Sequence, residues 1–448
     1  MFKPEKRHIL FIVLAALGVR VAAFALMPPS VFPDSIQYME LADMIVRGDL
    51  SGYDGARTPG YPLLILAFGK NLQALTLFQM LLGLGSCVLL YLIFGMLFRD
   101  RAHAVAGALA FALSPFQAVF ERDILSESLT TFLLLLAVYH LLRIWRGRSA
   151  TPVWLLMGLA AALTAFVRPM MQPVPLLLAG AAVLTFHSRG GASFLPTAGR
   201  LAVALLPAVV ILGGWSAFNY TRFDYPGLTT LAGFNLTNHS GAFMEKAPPE
   251  YKDIADIYIS HRERLVPRIG THATTIWYAL PDLEAATGLS RPELSRRFGR
   301  LSVRLFRDNP GLYLRSVAKS FTIFWLPAWY TGGSGLLPAL RSGNASERLL
   351  LWPLSLAQAL FTGLFFMLPV ALALSLRMQK ALPFNFGLAA LYLIVFVTAI
   401  LTSLMEYGEN ARYEQSVEPF VIGTGLCVII SLIQGKLRRE KPVTVDTP

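Results

Sequence analysis

Residues 72–98 read LQALTLFQMLLGLGSCVLLYLIFGMLF, a predominantly apolar run with no acidic or basic side chain, its polar side chains being Gln73, Thr76, Gln79 and Ser86. About 20 such residues cross the hydrocarbon of a bilayer, and helices are the ordinary way to satisfy the backbone there. The run therefore predicts a transmembrane helix. Similar stretches recur near 9–27, 104–120, 128–145, 152–168, 173–187, 201–218, 349–376, 384–404 and 418–434, giving about ten spans. The composition agrees with that reading. Apolar residues make up 55% of the 448-residue chain and charged residues 15%, against roughly 25% in a soluble domain, and the mean hydropathy is +0.54.

The formal net charge is +12, which in a soluble domain would point to nucleic acid. Its distribution says otherwise. Lys3–Arg7 (+2), Arg99–Arg101 (+1), Arg143–Arg148 (+3), Arg189 with Arg200 (+2), Arg377 with Lys380 (+2) and the tail from Lys436 (+2) alternate with the spans so that all lie on one side, and they hold the whole excess. The positive-inside rule makes that side cytoplasmic, with both termini on it. No nucleic-acid partner is expected. The first span, after Lys3, Lys6 and Arg7, reads as a retained signal anchor because Pro28-Pro29 offers no Ala-x-Ala site. Residues 309–330 mix Leu312, Val317, Phe321 and Phe324 with Arg315 and Lys319. A span there would force the basic tail outside, so the stretch is expected at the outer interface or re-entrant, with Trp325, Trp329 and Tyr330 as an aromatic belt.

Three units follow: 1–218, an N-terminal transmembrane module whose first outer loop is 28–71; 219–348, a small extracytoplasmic or interfacial region; and 349–448, the C-terminal helices and basic tail. The two outer segments exceed ordinary helix connections and are where function is expected. Cys87 and Cys427 both lie in apolar runs, which argues against a disulfide framework or a cysteine zinc site. His239, His261 and His272 are too scattered for metal-ligand spacing, His140 reads as a bundle histidine, and there is no His-Glu-x-x-His and no dinucleotide or P-loop glycine fingerprint. The Asn-x-Ser/Thr sequons at Asn219, Asn235, Asn238 and Asn344 carry no information without a known host.

The first outer loop contains Asp34-Ser35-Ile36-Gln37-Tyr38 at the start of a helix ending before Gly48, then Arg57-Thr58-Pro59-Gly60-Tyr61-Pro62. Asp34 reads two ways. With Gln37 three residues on it matches a capping box, and at the mouth of a bundle it is a carboxylate able to take a proton from an acceptor hydroxyl. Tyr38 lies one turn later on the same face. Arg57, ahead of a stiff turn, suits a guanidinium meeting a phosphate in fixed geometry; an interfacial anchor is the alternative.

An Asp-Ser-x-x-Tyr helix after the first span, followed by Arg-Thr-Pro-Gly-Tyr-Pro, resembles the GT-C superfamily of integral-membrane glycosyltransferases, on the branch of protein O-mannosyltransferases and lipid A aminoarabinose transferases. The resemblance implies an all-α polytopic membrane protein: a GT-C bundle of about ten transmembrane helices with juxtamembrane helices on its outer face. It implies a polyprenyl-phosphate-linked sugar donor and a lipid, glycan or protein acceptor, used at the extracytoplasmic side of a bilayer. A bacterial inner membrane and a role in the cell envelope are expected.

Further polar groups gather at that side. Asp123 and Glu127, one helical turn apart, resemble the superfamily's second acidic element and are read as catalytic candidates beside Asp34; acids favoured in a first helical turn are the alternative. Arg412-Tyr413 followed by Pro419 is similar to the closing Arg-Tyr-then-Pro element, with a salt bridge to Glu409 as competitor. The donor phosphate is assigned to Arg57, with Arg412, Arg168 and the intramembrane Arg20, since a charge within a span ordinarily faces a polar cavity; snorkelling is the alternative for Arg168. Tyr38, Tyr61 and Tyr413 are substrate-positioning candidates. Arg296, Arg300, Arg304 and Arg307 share one helical face opposite Leu294, Phe298, Leu301 and Leu305, and read either as attachment to anionic headgroups or as the seat of an anionic acceptor. No cofactor is expected, with a divalent cation between Asp34 and Asp123 as the alternative the oligosaccharyltransferase branch suggests. Competing functions are a transporter or lipid flippase, which should place paired charges near the midplane on broken helices, and a ligase or polymerase using a polyprenyl-diphosphate glycan.

Overall fold

In the computed structural model the described residues are 3–98, 100–187, 194–326, 345–374 and 385–437. They form helices α1 (Lys6–Leu26), α2 (Pro33–Arg47), α3 (Gly60–Ala67), α4 (Leu72–Phe98), α5 (Arg101–Ala112), α6 (Pro115–Phe120), α7 (Glu127–Trp145), α8 (Thr151–Val167), α9 (Val174–His187), α10 (Phe194–Ala208) and α11 (Gly214–Phe223). The outer region follows as α12 (Ala232–Ser240), α13 (Lys252–Ile269), α14 (Thr275–Thr287), α15 (Arg291–Asp308) and α16 (Pro310–Phe324), and the chain closes with α17 (Ala345–Leu374), α18 (Phe386–Met405), α19 (Asn410–Glu414) and α20 (Glu418–Leu437).

Six helical stretches among the described residues are long and apolar enough to cross a membrane: Lys6–Leu26, Leu72–Phe98, Glu127–Trp145, Pro169–Phe186, Leu195–Phe223 and Phe386–Met405. Three shorter apolar helices, Thr151–Val167, Leu356–Val370 and Glu418–Gln434, correspond to three further sequence-read spans. The protein is an all-α polytopic membrane protein. One sequence-read span differs. Residues 104–120 divide between α5 and α6, because Ser114 caps α6 through Gln117 N–H and Pro115 occupies its first turn. At 12 residues, α5 is only about 18 Å long.

The bundle core is built from α4, α5, α7, α8, α9, α18 and α20, with Leu90, Phe94, Leu134, Trp154, Leu391 and Phe420 fully buried. Helix α1 shows why the exterior is apolar. Ile12, Ala16 and Arg20, each four residues apart, face inward, whereas Leu10, Phe11, Leu14, Leu17, Val21 and Phe24 stay exposed, as a lipid-facing side requires.

A second apolar core lies within the outer region and joins α12 to α15 through Phe234, Ile254, Tyr258, Ile276, Leu283 and Phe298. The face of α15 expected to meet a bilayer is packed there. Leu294, Phe298 and Leu301 are fully buried and Leu305 nearly so, and only the arginine face remains outside. Helix α12 crosses close to α15 because Gly233 has no side chain; a Cβ there would stand 1.7 Å from the Ser295 carbonyl oxygen. Helix α16 packs on the end of α18, its Tyr313 hydroxyl donating to the Leu404 carbonyl. Trp325 of the expected aromatic belt packs against Phe366, and Trp329 and Tyr330 lie outside the described residues.

Candidate active site

The start of α2 is fixed by two contacts with the turn before α7. Ser30 and Asp123 form a parallel backbone bridge, with Ser30 N–H donating to Arg122 O and Ile124 N–H to Ser30 O. The Ser35 hydroxyl donates to the Ile124 carbonyl and accepts from Phe32 N–H. Ser35 therefore takes up the capping N–H, which frees Asp34 and Gln37 from the capping roles that their spacing suggested. Both side chains instead meet Arg57: its Nη2 lies 2.7 Å from Asp34 Oδ1 and its Nε 2.7 Å from Gln37 Oε1.

Arg57 is held from the other side as well. Tyr53 donates its hydroxyl to the Arg57 carbonyl, Thr230 N–H donates to Gly55 O, and the Thr229 hydroxyl donates to Ala56 O. Gly55 has φ of +79°, where a side chain is strained, and a Cβ would also collide with Thr230. The Pro-Gly that follows brings α3 against the end of α8, since a Cβ at Gly60 would lie 2.9 Å from the Phe166 carbonyl oxygen. That approach places Arg57 and Arg168, the residue capping α8, around the same space.

The space is a cavity of about 150 Å³ lined by Asp34, Tyr38, Arg57, Arg168, Arg412 and Tyr413, among others. Arg412, on the short helix α19, reaches Asp34 Oδ2 at 3.2 Å, Glu127 Oε1 at 3.0 Å and Glu409 Oε2 at 2.9 Å. Arg168 Nη1 reaches the same Glu127 oxygen at 3.0 Å. Arg57 lies over the Tyr38 ring at 5.1 Å and Arg168 over the Tyr413 ring at 4.6 Å, distances at which the ring faces attract the two cations. Three arginines thus meet three carboxylates, and the cluster is electrically balanced.

Burial alone would raise the Asp34 carboxyl, but the guanidiniums of Arg57 and Arg412, with Arg168 behind them, hold it well below the usual carboxylate range. Burial opposes the charge on Arg57 and Arg412, and their carboxylate neighbours, Asp34 for the first and Glu127, Glu409 and Asp34 for the second, outweigh it. Asp34 keeps 26% of its side chain exposed against 1% for Glu127. One carboxylate faces the cavity and the other sits behind the arginines.

The remaining sequence-read residues lie elsewhere. Tyr61 is fully buried, donates to Gln79 Oε1 and stands edge-on to Tyr38; it supports the wall without lining the cavity. Arg20 pairs with Glu121 at 2.6 Å inside the bundle, away from the cavity-lining residues. Asp123 is fully buried, and neither carboxylate oxygen has a hydrogen-bond partner among the described residues; burial and then the Glu127 charge push its carboxyl up. Because Asp34 is shared between two guanidiniums and Asp123 does not line the cavity, the pair does not fit a bridging divalent cation. Among the described residues no group of three His, Cys, Asp or Glu side chains is arranged to hold a metal.

Arg296 pairs with Asp224 and Arg304 with Asp308, while Arg296 and Arg300 line a separate groove of about 390 Å³ that shares Ala232 with the cavity. Sequence reasoning missed Gln37, the orienting partner of Arg57, and Asn235, which lines the cavity from α12. Its sequon carried no sign of that placement.

Residues 62–215 match the family model described as dolichyl-phosphate-mannose-protein mannosyltransferase. No curated protein sequence matches. A solved structure to which the chain is similar is the archaeal oligosaccharyltransferase AglB from Archaeoglobus fulgidus, in complex with an inhibitory peptide and a dolichol-phosphate. The identity is 14% and the TM-score 0.42, covering 99% of this chain and 52% of that one, so the chain spans about half its length. Over residues 62–215 the chain is similar to dolichyl-phosphate-mannose-protein mannosyltransferases, in agreement with the resemblance to the GT-C superfamily of glycosyltransferases, while the motifs of the first outer loop from Asp34 to Tyr61 lie ahead of the matched segment.

Proposed function

We propose that the protein transfers a sugar from a polyprenyl-phosphate donor to a hydroxyl of a lipid, glycan or protein acceptor, at the extracytoplasmic face of a bacterial inner membrane. The observation that carries this reading is the convergence of Asp34 with Arg57, Arg168 and Arg412 on one cavity at the end of an apolar bundle. The donor phosphate takes the guanidiniums. The acceptor oxygen attacks the anomeric carbon, the bond from that carbon to the phosphate oxygen breaks, and the phosphate leaves with the electron pair. The arginines neutralise the charge that grows there. Asp34 accepts the hydroxyl proton from the face opposite the leaving group, and the anomeric centre inverts.

Before donor binds, the arginines are already neutralised by carboxylates, so phosphate entry is an exchange of partners. A phosphate that takes Arg57 and Arg412 releases Asp34 from both. The released carboxylate moves back toward the ordinary range and becomes the stronger base. Arg296, Arg300 and Arg304 are assigned to an anionic group on the acceptor, through the groove adjoining at Ala232. Residues 1–218 form the catalytic module, 219–348 the acceptor-side region and 349–448 the helices that bring Arg412. Asp123 supports the turn under α2 and is given no chemical step.

The test is transfer from radiolabelled polyprenyl-phosphate hexoses and pentoses to a membrane-lipid extract by the purified protein in nanodiscs. Wild type is expected to label an acceptor and Asp34→Asn to bind polyprenyl phosphate without transfer. Wild-type turnover by Asp34→Asn removes the proposed base.

A further inference from the structure

Arg168 and Arg412 stand 244 residues apart in the chain, yet they direct their N–H groups at a single atom. Glu127 Oε1 accepts from Arg168 Nη1 at 3.0 Å and from Arg412 at Nη2 and Nε, 3.0 and 3.2 Å. A further bond, from Arg168 Nη2 to the Arg412 carbonyl at 3.3 Å, ties the two residues together. Left alone, two guanidiniums this close repel each other, by an amount that grows as water is removed.

The three carboxylates on these arginines are not equivalent. Asp34 and Glu409 line the cavity, and any anion entering it competes with them directly. Glu127 does not line the cavity and is 1% exposed, in the first turn of α7 where the bundle wall begins. An incoming phosphate meets the guanidiniums on the face that Glu127 does not occupy.

We infer that Glu127 is a positioning residue which holds Arg168 and Arg412 side by side as one anion-binding fork and stays bound to them when donor phosphate displaces Asp34. This rests on the function proposed above and narrows it: Glu127, read from sequence as a catalytic candidate, touches neither donor nor acceptor. A fork fixed beforehand loses little freedom when the ligand arrives, and that is where its contribution to affinity comes from.

The inference can be separated from a simple effect of charge. Removing Glu127 makes the cluster more positive, so an account based only on net charge expects tighter phosphate binding. The positioning account expects the reverse. In nanodiscs, polyprenyl phosphate is expected to bind Glu127→Leu about tenfold to a hundredfold more weakly than wild type, the range found when an outer partner that orients a ligating group is removed. Glu127→Gln, which keeps one acceptor oxygen and the shape, is expected to lose less and covers the case in which the leucine variant does not fold. In turnover, donor KM should rise while kcat at saturating donor changes by less than the rise in KM. Unchanged or tighter binding by Glu127→Gln, or a loss confined to kcat, overturns the inference. Absence of binding by wild type itself would instead count against the proposed function, whereas wild-type binding weakened by Arg57→Ala but not by the Glu127 variants defeats the positioning role alone.

Discussion

Two arginine–carboxylate systems, alike in chemistry, occupy opposite situations in this bundle. Inside it, Arg20 and Glu121 meet one to one at 2.6 Å, each side chain 2% exposed. Arg20 also donates to the Ala16 and Ala112 carbonyls, and Glu121 fits only because residue 83 is glycine, where a Cβ would lie 1.9 Å from the carboxylate. At the mouth, Asp34, Arg57 and Arg412 share partners, stay 12–26% exposed and border a cavity. The closed pair is sealed inside the bundle: Arg20 Nε and Glu121 Oε2 have no partner among the described residues, but neither residue borders the cavity where a ligand could reach it. The shared network can change partners without leaving a charge bare, which is what binding an anion demands. Intramembrane arginine alone does not mark a site; the number and accessibility of its partners do.

The comparison can be broken most sharply at Asp34. Asp34→Asn should lower turnover by about 10²- to 10⁴-fold, the range for a lost general base, with thermal stability near that of wild type. The opposite pattern is expected of Arg20→Ala, which leaves Glu121 as an uncompensated buried carboxylate: a loss of about 3–5 kcal/mol of stability, read by thermal unfolding in detergent, with per-molecule activity retained in whatever folds. If Arg20→Ala folds normally but fails to bind donor, the division between the two systems collapses.

Arg57→Ala should weaken binding of polyprenyl phosphate by about 1.5–3 kcal/mol, the contribution of a hydrogen bond to a charged group, read by titration in nanodiscs. A smaller effect concerns pH. The arginines hold the free Asp34 carboxyl low, so the base is lost only as pH falls below the ordinary carboxylate range. Removing Arg57 raises that carboxyl, and the acid limb of kcat/KM in Arg57→Gln should move to higher pH; a limb that stays in place separates Asp34 from the titration.

Much of the bundle and its mouth was legible in the sequence because charge is scarce in this chain. Where a charged residue is costly its position is informative, which singled out Arg168, while Asp34 and Arg57 stood out in the first-outer-loop motif and Arg412 through the family resemblance; the fold brings all four to one cavity. What stayed hidden was the choice of partner across long separations. Nothing near Arg20 points to Glu121, 101 residues on, and nothing near Gln37 prefers Arg57 over a capping N–H; the hydroxyl of Ser35 settled that locally. The amphipathic pattern of α15 was read correctly, but a pattern does not say whether the apolar face meets lipid or, as here, α12. The break of 104–120 was present in Ser114-Pro115 and was outweighed by the surrounding hydropathy.

The central claim is that donor phosphate replaces Asp34 on the arginines. A structure of the protein in nanodiscs with polyprenyl phosphate tests it most directly. The account expects phosphate density within about 3 Å of Arg57 and Arg412, the distance of charge-assisted hydrogen bonds, with the Asp34 carboxylate turned away from both. Phosphate seated at the arginine face of α15, with Asp34 still paired to Arg57 and Arg412, would contradict it.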